Sequence, residues 1–181
     1  MSEILISRIR ERVNSRTKAV PYPPVSRDKI EQAESQLGFS MPPLLNLCYQ
    51  RIGNGGFGPN NGVIGLERGA PSDFGTIFET YTQLKSDQEM AGRSWALALL
   101  PFCGWGCNIF SCVDCGSAGY PVYTFEEFEA HAEEYTLERF FEMWLDGVDI
   151  LSQCRGANLV EEKVINPFSG KEFIVFKRVR N

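Results

Sequence analysis

The residue that most restricts the possible chemistry of this chain is its single histidine, His131. A Ser-His-Asp or Cys-His catalytic site would have to use this side chain as its base, and nucleophile and base must meet in a cleft. His131 instead lies within an acidic stretch, residues 126–134. Read as a helix, this stretch leaves His131 outside a buried stripe made of Phe125, Phe128, Ala132 and Tyr135. We therefore interpret His131 as a surface histidine without a catalytic role.

Cysteines form the second candidate site, because four of the six lie close together as Cys103, Cys107, Cys112 and Cys115. Zinc sites usually consist of two short knuckles separated by a longer loop, and this spacing does not match that pattern. If residues 108–114 form a strand, Cys112 and Cys115 point to opposite faces. A zinc site and redox chemistry stay open as minor alternatives. We predict that these cysteines are reduced, small apolar side chains of the core.

Other catalytic templates are missing from the sequence. There is no GxxxxGK[ST] phosphate loop, and the glycine-rich segment from Gly53 to Gly58 follows a predicted helix instead of preceding one. Asp114 ends an apolar strand, where we expect its carboxylate to accept hydrogen bonds from nearby backbone amides; contact with a partner is the alternative. We predict no catalytic, cofactor-binding or metal-binding residues, and therefore no enzymatic activity.

Charge is distributed unevenly along the chain, which carries 18 basic and 23 acidic residues. Residues 126–149 contain nine acidic residues and only one basic residue, Arg139. A chain of this charge is a poor binder of nucleic acid, whereas an acidic patch suits a basic protein partner. The candidate partner-binding residues are the densest set of carboxylates: Glu126, Glu127, Glu129, Glu133 and Glu134. The alternative is that these glutamates only keep a helix face solvated.

The spacing of apolar residues predicts helices first, strands next and helices again. Helices are expected over residues 4–16, after Ser26 as N-cap and up to Gly38, from Pro42-Pro43 to about Ile52, over residues 74–86, and after Thr136 up to Gly147. Strands are expected over residues 63–66, 95–102, 108–114 and 120–125, and a final hairpin over residues 159–165 and 172–179. The fold class is therefore α+β, with N-terminal helices packed on a twisted, mainly antiparallel sheet, a C-terminal helix and a final β-hairpin.

This organisation divides the chain into three parts. Residues 1–20 form a helical extension, residues 22–146 form the main domain, and residues 147–181 form a hairpin extension that we expect to pack on the same domain. No apolar run approaches the roughly 20 residues that span a bilayer, and the N-terminus lacks the pattern of a signal peptide. We expect a cytoplasmic protein that does not contact membranes.

Several ordered motifs resemble the SUKH superfamily, in its Smi–Knr group. They are the segment from Val25 to Pro42, with Ile30, Ala33, Leu37-Gly38-Phe39 and Met41 at its fixed positions; the turn Asn54-Gly55-Gly56-Phe57; the segment Trp105-Gly106-Cys107 followed by the strand that Asp114 closes; Pro121-Val122; and the closing Phe140 with Trp144-Leu145. The resemblance covers about residues 22–146. The first helix and the final hairpin lie outside it.

The resemblance implies helices packed around a strongly twisted sheet and a function without catalysis. Many bacterial members of the superfamily are similar to immunity proteins that neutralise polymorphic toxins, often nucleases or deaminases. Fungal relatives act as interaction modules in cell-wall and stress regulation. The resemblance therefore implies a protein that binds a basic toxin domain without a cofactor. The alternative is a regulatory module with an endogenous partner.

Overall fold

The computed structural model describes residues 2–16, 22–96, 98–152, 159–165 and 172–178 of the 181-residue chain. Contacts within the chain divide it into two compact units, Met1–Val148 and Asp149–Asn181. The first unit contains the N-terminal helices, a five-stranded sheet and a closing helix. The second contains a two-stranded antiparallel ladder.

Three helices open the first unit: α1 (Ser2–Arg16), α2 (Arg27–Leu37) and α3 (Pro43–Arg51). The predicted apolar stripes are buried, with Ile9 on α1 and Ile30 and Leu37 on α2 among the least exposed side chains. Gly38 ends α2 in the left-handed region (φ 82°), where its N–H donates to the Glu34 carbonyl. Ser26 is the N-cap residue as predicted, but its side chain makes no capping hydrogen bond.

The sheet is an antiparallel meander whose strands follow chain order. It consists of β1 (Gly62–Val63), β2 (Leu99–Gly106), β3 (Ile109–Asp114), β4 (Pro121–Glu126) and β5 (Glu129–Thr136). The prediction of strands over 108–114 and 120–125 is confirmed, but β2 begins and ends four residues later than predicted. Its glycines were read as turn residues, whereas Gly104 and Gly106 lie within the strand, on either side of a register shift. Bulges of this kind accept glycine without ending the ladder.

One predicted helix is wrong: the acidic stretch 126–134 belongs to the β4–β5 hairpin. Burial along β5 has a period of two, with His131, Glu133 and Tyr135 partly shielded and Ala130, Ala132 and Glu134 exposed. Of the proposed buried stripe, Phe125 is buried but belongs to β4, and Phe128 is exposed in the turn. The apparent helical spacing therefore joined residues from a strand, a turn and a second strand.

Helices close both faces of the sheet. Helix α4 (Ile77–Met90) begins with a capping box made by Thr76 and Glu79, three residues after the predicted start. Helix α5 (Leu137–Leu145) begins at the predicted N-cap, Thr136. On one face of the sheet, Phe140 of α5 contacts the rings of Phe102 and Trp105.

The other face of the sheet presents two aromatic residues that are paired across strands, Phe110 and Phe125. Their rings contact Phe74 and Trp95, which lie in the segments before and after α4. Because adjacent residues of a strand point to opposite faces, Ser111 lies on the α5 side, where it accepts a hydrogen bond from the Trp105 indole (2.9 Å). The α+β class with an antiparallel sheet and a C-terminal helix is confirmed.

The second unit contains β6 (Leu159–Ile165) and β7 (Glu172–Arg178), which pair antiparallel with Leu159 opposite Arg178 and Ile165 opposite Glu172. These bounds confirm the predicted pair of strands. The predicted connecting turn, residues 166–171, lies outside the described residues.

Candidate protein-interaction surface

The turn between β4 and β5 has two central residues, Glu127 and Phe128, with φ of 51° and 63°. Positive φ at both positions is the conformation of the type I′ hairpin turn, in which Asn and Gly are usual. A glutamate and a phenylalanine there are strained, because the left-handed conformation places Cβ too close to the backbone. The Phe128 ring gains little from burial in return, since the residue is 55% exposed.

Side chains from α4 and from the segment after it hold this turn in place through its backbone. The Phe128 carbonyl accepts hydrogen bonds from the side-chain amide of Gln88 and from Arg93 Nη1, the latter at 2.7 Å. Arg93 also forms an ion pair with Glu129, with 3.3 Å between Nη2 and Oε1. Gln88 is only 6% exposed, so its anchoring amide has little freedom to leave. The turn is therefore fixed before any partner arrives.

The structure divides the five candidate glutamates into two groups. Glu126 and Glu129 are directly opposite each other across the ladder, and Glu127 occupies the turn between them. Two like charges at directly opposite positions destabilise a hairpin, so this arrangement is unfavourable for folding alone. The other pair, Glu133 and Glu134, lies roughly 13 Å farther along β5 at about 3.3 Å per residue.

Glu133 and Glu134 lie on β5 opposite the part of β4 between Pro121 and Tyr123, where the pairing of the two strands is irregular. Glu134 is exposed, whereas Glu133 is partly shielded. The Oε1 atom of Glu133 is buried and has no hydrogen-bond partner among the described residues. The glutamates therefore share one hairpin but not one helical face, and the predicted common surface applies most directly to the group at the turn.

His131 lies on β5, directly opposite Thr124 of β4, and is partly exposed. Among the described residues, no serine or cysteine is hydrogen-bonded to His131, and no group of three or more His, Cys, Asp or Glu side chains is arranged to hold a metal ion. His131 is therefore a residue of the acidic hairpin, not the centre of a cleft.

The cysteines are mainly part of the core. Cys48, Cys103 and Cys112 are buried, and this burial raises the pKa of each thiol far above its usual value. Burial, assisted by the Asp114 carboxylate, raises the pKa of Cys115 to about 12. A thiolate is the nucleophile and metal ligand, so these four protonated thiols are poorly suited to either role at neutral pH. Cys107 differs, since it is exposed in the β2–β3 turn.

Asp114 has the backbone role that its position predicted. Its Oδ1 accepts a hydrogen bond from the Gly116 backbone N–H (2.9 Å), and its Oδ2 accepts one from the Ser117 hydroxyl (2.6 Å). These bonds stabilise the turn that leads from β3 towards β4. The carboxylate is thereby occupied within its own turn.

The glycine-rich segment is organised by Asn54, a buried residue whose importance sequence reasoning missed. Its side-chain oxygen accepts from the Leu66 N–H (2.8 Å), and its side-chain amide donates to the Glu67 carbonyl (3.1 Å). Gly55 has φ of 81°, and a Cβ there would lie 2.6 Å from the Val63 carbonyl oxygen. The segment is therefore a structural turn packed against residues 63–67, and not a phosphate loop.

A shallow cavity of about 200 Å³ lies between α2 and the start of α4, with Lys29, Gln36, Glu67 and Phe78 among its lining residues. Small-molecule sites usually occupy roughly 300–1,000 Å³ and enclose convergent polar groups. This cavity is smaller than that range and open to solvent. It does not provide a cofactor site of the usual kind.

Comparison with known protein families matches residues 2–148 to the SUKH_5 family, described as SMI1-KNR4 cell-wall. The matched segment includes α1 and therefore extends farther than residues 22–146, on which the motifs lie. It ends before the two-stranded ladder of the second unit. No curated protein matches the chain. Among the described residues, no helix combines the length and the apolar character needed to cross a membrane.

Proposed function

Because the chain belongs to the SMI1-KNR4 cell-wall family, we propose that it is a non-catalytic protein-binding domain that acts as an immunity protein. In this proposal it binds a basic toxin domain, of nuclease or deaminase type, and covers the toxin's active site. The observation that carries the proposal is the β4–β5 hairpin, where carboxylates surround an exposed, backbone-anchored turn.

Electrostatic complementarity supports this role. A nuclease or deaminase that acts on nucleic acid presents cations to phosphate groups, and an inhibitor that offers carboxylates at that place competes with the substrate. Glu127 and Glu134 are both exposed. Neither forms an ion pair with another described residue, so their charges are available to an incoming cation. Such a surface raises the association rate more than it raises affinity.

The proposed absence of catalysis is supported by the state of the candidate reactive groups. The buried thiols of Cys48, Cys103 and Cys112 favour the protonated form. His131 is partly exposed on β5 and has no nucleophile paired to it in the described part of the chain. Both features are more typical of a protein that binds and blocks its partner than of an enzyme that turns over a substrate.

A regulatory interaction module with an endogenous partner is the second candidate, and the cell-wall description of the matched family favours it. Both functions use a specific protein surface, so the fold does not separate them. The neighbouring gene does: a large secreted toxin with a C-terminal nuclease-like domain favours the immunity function.

Where the neighbouring gene encodes a toxin, the experiment measures association between the chain and the C-terminal domain of that toxin by stopped-flow fluorescence; a neighbourhood without a toxin gene counts against the immunity function. We expect the combined change Glu127→Lys, Glu133→Lys and Glu134→Lys to slow association by at least about tenfold at low salt, with a smaller effect at high salt. The matched control reverses three exposed carboxylates elsewhere, Glu11, Asp28 and Asp73. Equal rates for the hairpin variant and the control variant would remove the hairpin from the interface.

A further inference from the structure

Three large apolar side chains are exposed in the described part of the chain, and two of them belong to segments that a hydrogen bond joins. Phe128 is 55% exposed at the hairpin turn, and Met90 is 76% exposed at the last residue of α4. Gln88, two residues before Met90, hydrogen-bonds to the Phe128 carbonyl. The third, Ile4, is 71% exposed on α1. We use the name hairpin–helix junction for residues 87–90, 93 and 126–129.

Two acidic residues of the hairpin–helix junction lie at the C-terminal end of α4, where negative charge is unfavourable. The last turn of α4 contains Asp87 and Glu89 and no basic residue. The carbonyl end of a helix carries partial negative charge, so acidic side chains there are unfavourable and cations are favourable. Together with the three glutamates of the turn, the junction holds five carboxylates and one guanidinium, that of Arg93. A cationic partner would relieve this repulsion.

The apolar and acidic parts of the hairpin–helix junction define the chemistry of one partner. An exposed aromatic residue surrounded by charge has the arrangement of an interface anchor with a polar rim. The anchored backbone of Phe128 means that little conformational freedom is lost when the ring is covered. A second copy of this chain would bring acidic surface against acidic surface, and nucleic acid would be repelled in the same way.

We propose, as an extension of the proposed function, that the hairpin–helix junction docks a protein segment in which Lys or Arg residues flank apolar side chains. The Phe128 ring contacts the apolar side chains, and Asp87, Glu89 and the turn glutamates contact the flanking cations. The proposal goes beyond attraction between opposite charges, because it requires the partner to supply an apolar group at the centre.

The test is a titration of the isotope-labelled full chain, followed by NMR, with short peptides containing Lys-Leu-Leu-Lys, Lys-Ser-Ser-Lys or Glu-Leu-Leu-Glu. We expect the first peptide to shift the amide signals of residues 87–93 and 126–129 and to bind at least about fivefold tighter than the serine peptide. The acidic peptide should leave these signals unchanged. Equal binding of the leucine and serine peptides, shifts confined to other residues, or no binding would overturn the proposal.

Variants separate the anchor from general apolar exposure. Phe128→Ser should reduce affinity for the leucine peptide to that for the serine peptide, whereas Ile4→Ser, at a similarly exposed site, should leave it unchanged. Glu89→Lys retains the turn and its ring and should weaken binding by about threefold or more. Thermal unfolding checks that each variant folds, and unchanged binding in folded Phe128→Ser would overturn the proposal.

The peptide titration and the association-rate experiment can fail separately. Failure of the titration removes the hairpin–helix junction as a docking site and leaves the rate measurement with the toxin domain unaffected. Failure of the rate experiment while the titration succeeds removes the hairpin from the toxin interface and assigns the junction to a different basic partner.

Discussion

Replacing Phe128 by glycine and, separately, by alanine removes the same exposed ring but changes the backbone differently. At φ 63° the left-handed conformation costs an L-residue roughly 1–2 kcal/mol, whereas it costs glycine almost nothing. Glycine also has greater freedom in the unfolded chain, which lowers its stability by about 0.4–1 kcal/mol relative to alanine. The difference favours Phe128→Gly over Phe128→Ala by about 1 kcal/mol.

The comparison is made by urea unfolding followed by tryptophan fluorescence, because the two variants lose the same side-chain contacts. Ala130→Gly is the matched control, since Ala130 is exposed on β5 and does not have positive φ. There glycine should be the less stable residue by roughly 0.5–1 kcal/mol. The sign of the glycine effect therefore reverses within three residues of the same hairpin.

An alanine variant as stable as the glycine variant, or more stable, would refute the left-handed assignment at position 128. The turn would then lack the strained geometry that fixes the ring before binding. Both variants should lose the preference for the leucine peptide to the same extent. Stability and binding are thereby measured on the same pair of proteins and respond to different features of one residue.

Three further outcomes follow from the core. Gly65→Ala should lower the unfolding free energy by more than about 2 kcal/mol, because its Cβ would overlap the backbone nitrogen of Ala70. Gly104→Ala is the matched control: there is space for its Cβ, and its thermal melting should be nearly unchanged. Trp144→Ala should lower it by roughly 3–5 kcal/mol in chemical unfolding, since the residue is 5% exposed; wild-type stability would contradict its place in the core. Stability should fall as pH rises above about 9. The Cys115 thiol has a pKa of about 9 in the unfolded chain but about 12 in the folded protein, because burial disfavours the thiolate. Between these values unfolding releases a proton, so raising the pH favours the unfolded state. A flat pH profile from 8 to about 10 would contradict that burial.

The N-terminal helices were predictable because one local signal determines each of them. Ile30, Ala33 and Leu37 recur at helical spacing, and Gly38 supplies the left-handed residue that ends α2. The core strand β3 was also predictable, since five of its six residues are buried and a turn lies at each end of the apolar run. In these segments local preference and tertiary packing favour the same structure.

The acidic hairpin was not predictable in the same way, because its local signals favour a helix. Glutamate and alanine are good helix formers, and a two-residue turn made of Glu127 and Phe128 lacks the Asn-Gly signature of a hairpin. Pairing with β4 decides the structure of β5 instead, and edge strands tolerate charged residues. The division of the candidate glutamates into two groups depends on this pairing, which a helical interpretation could not supply.

The apolar members of the hairpin–helix junction were missed for a different reason. Phe128 was assigned to a buried stripe by its spacing, and Met90 lies outside the predicted α4, which ended at residue 86. The segments that carry them are joined by the hydrogen bond between Gln88 and the Phe128 carbonyl, two residues 40 apart in the sequence. Periodicity within one segment carries no information about such a contact. The signal available was the unusual pair of acidic residues at the end of an otherwise well-capped helix.

Amide hydrogen exchange of the full chain, alone and bound to the toxin domain that it is proposed to neutralise, tests most directly whether the acidic hairpin is the binding surface. We expect new protection to concentrate in residues 126–134 and 87–93, with α1 and α2 exchanging as in the free chain. The hairpin turn should be protected most strongly, because Phe128 and Glu127 lie at the centre of the contact. Protection confined to α1–α3, with residues 126–134 unchanged, would contradict the assignment of this surface.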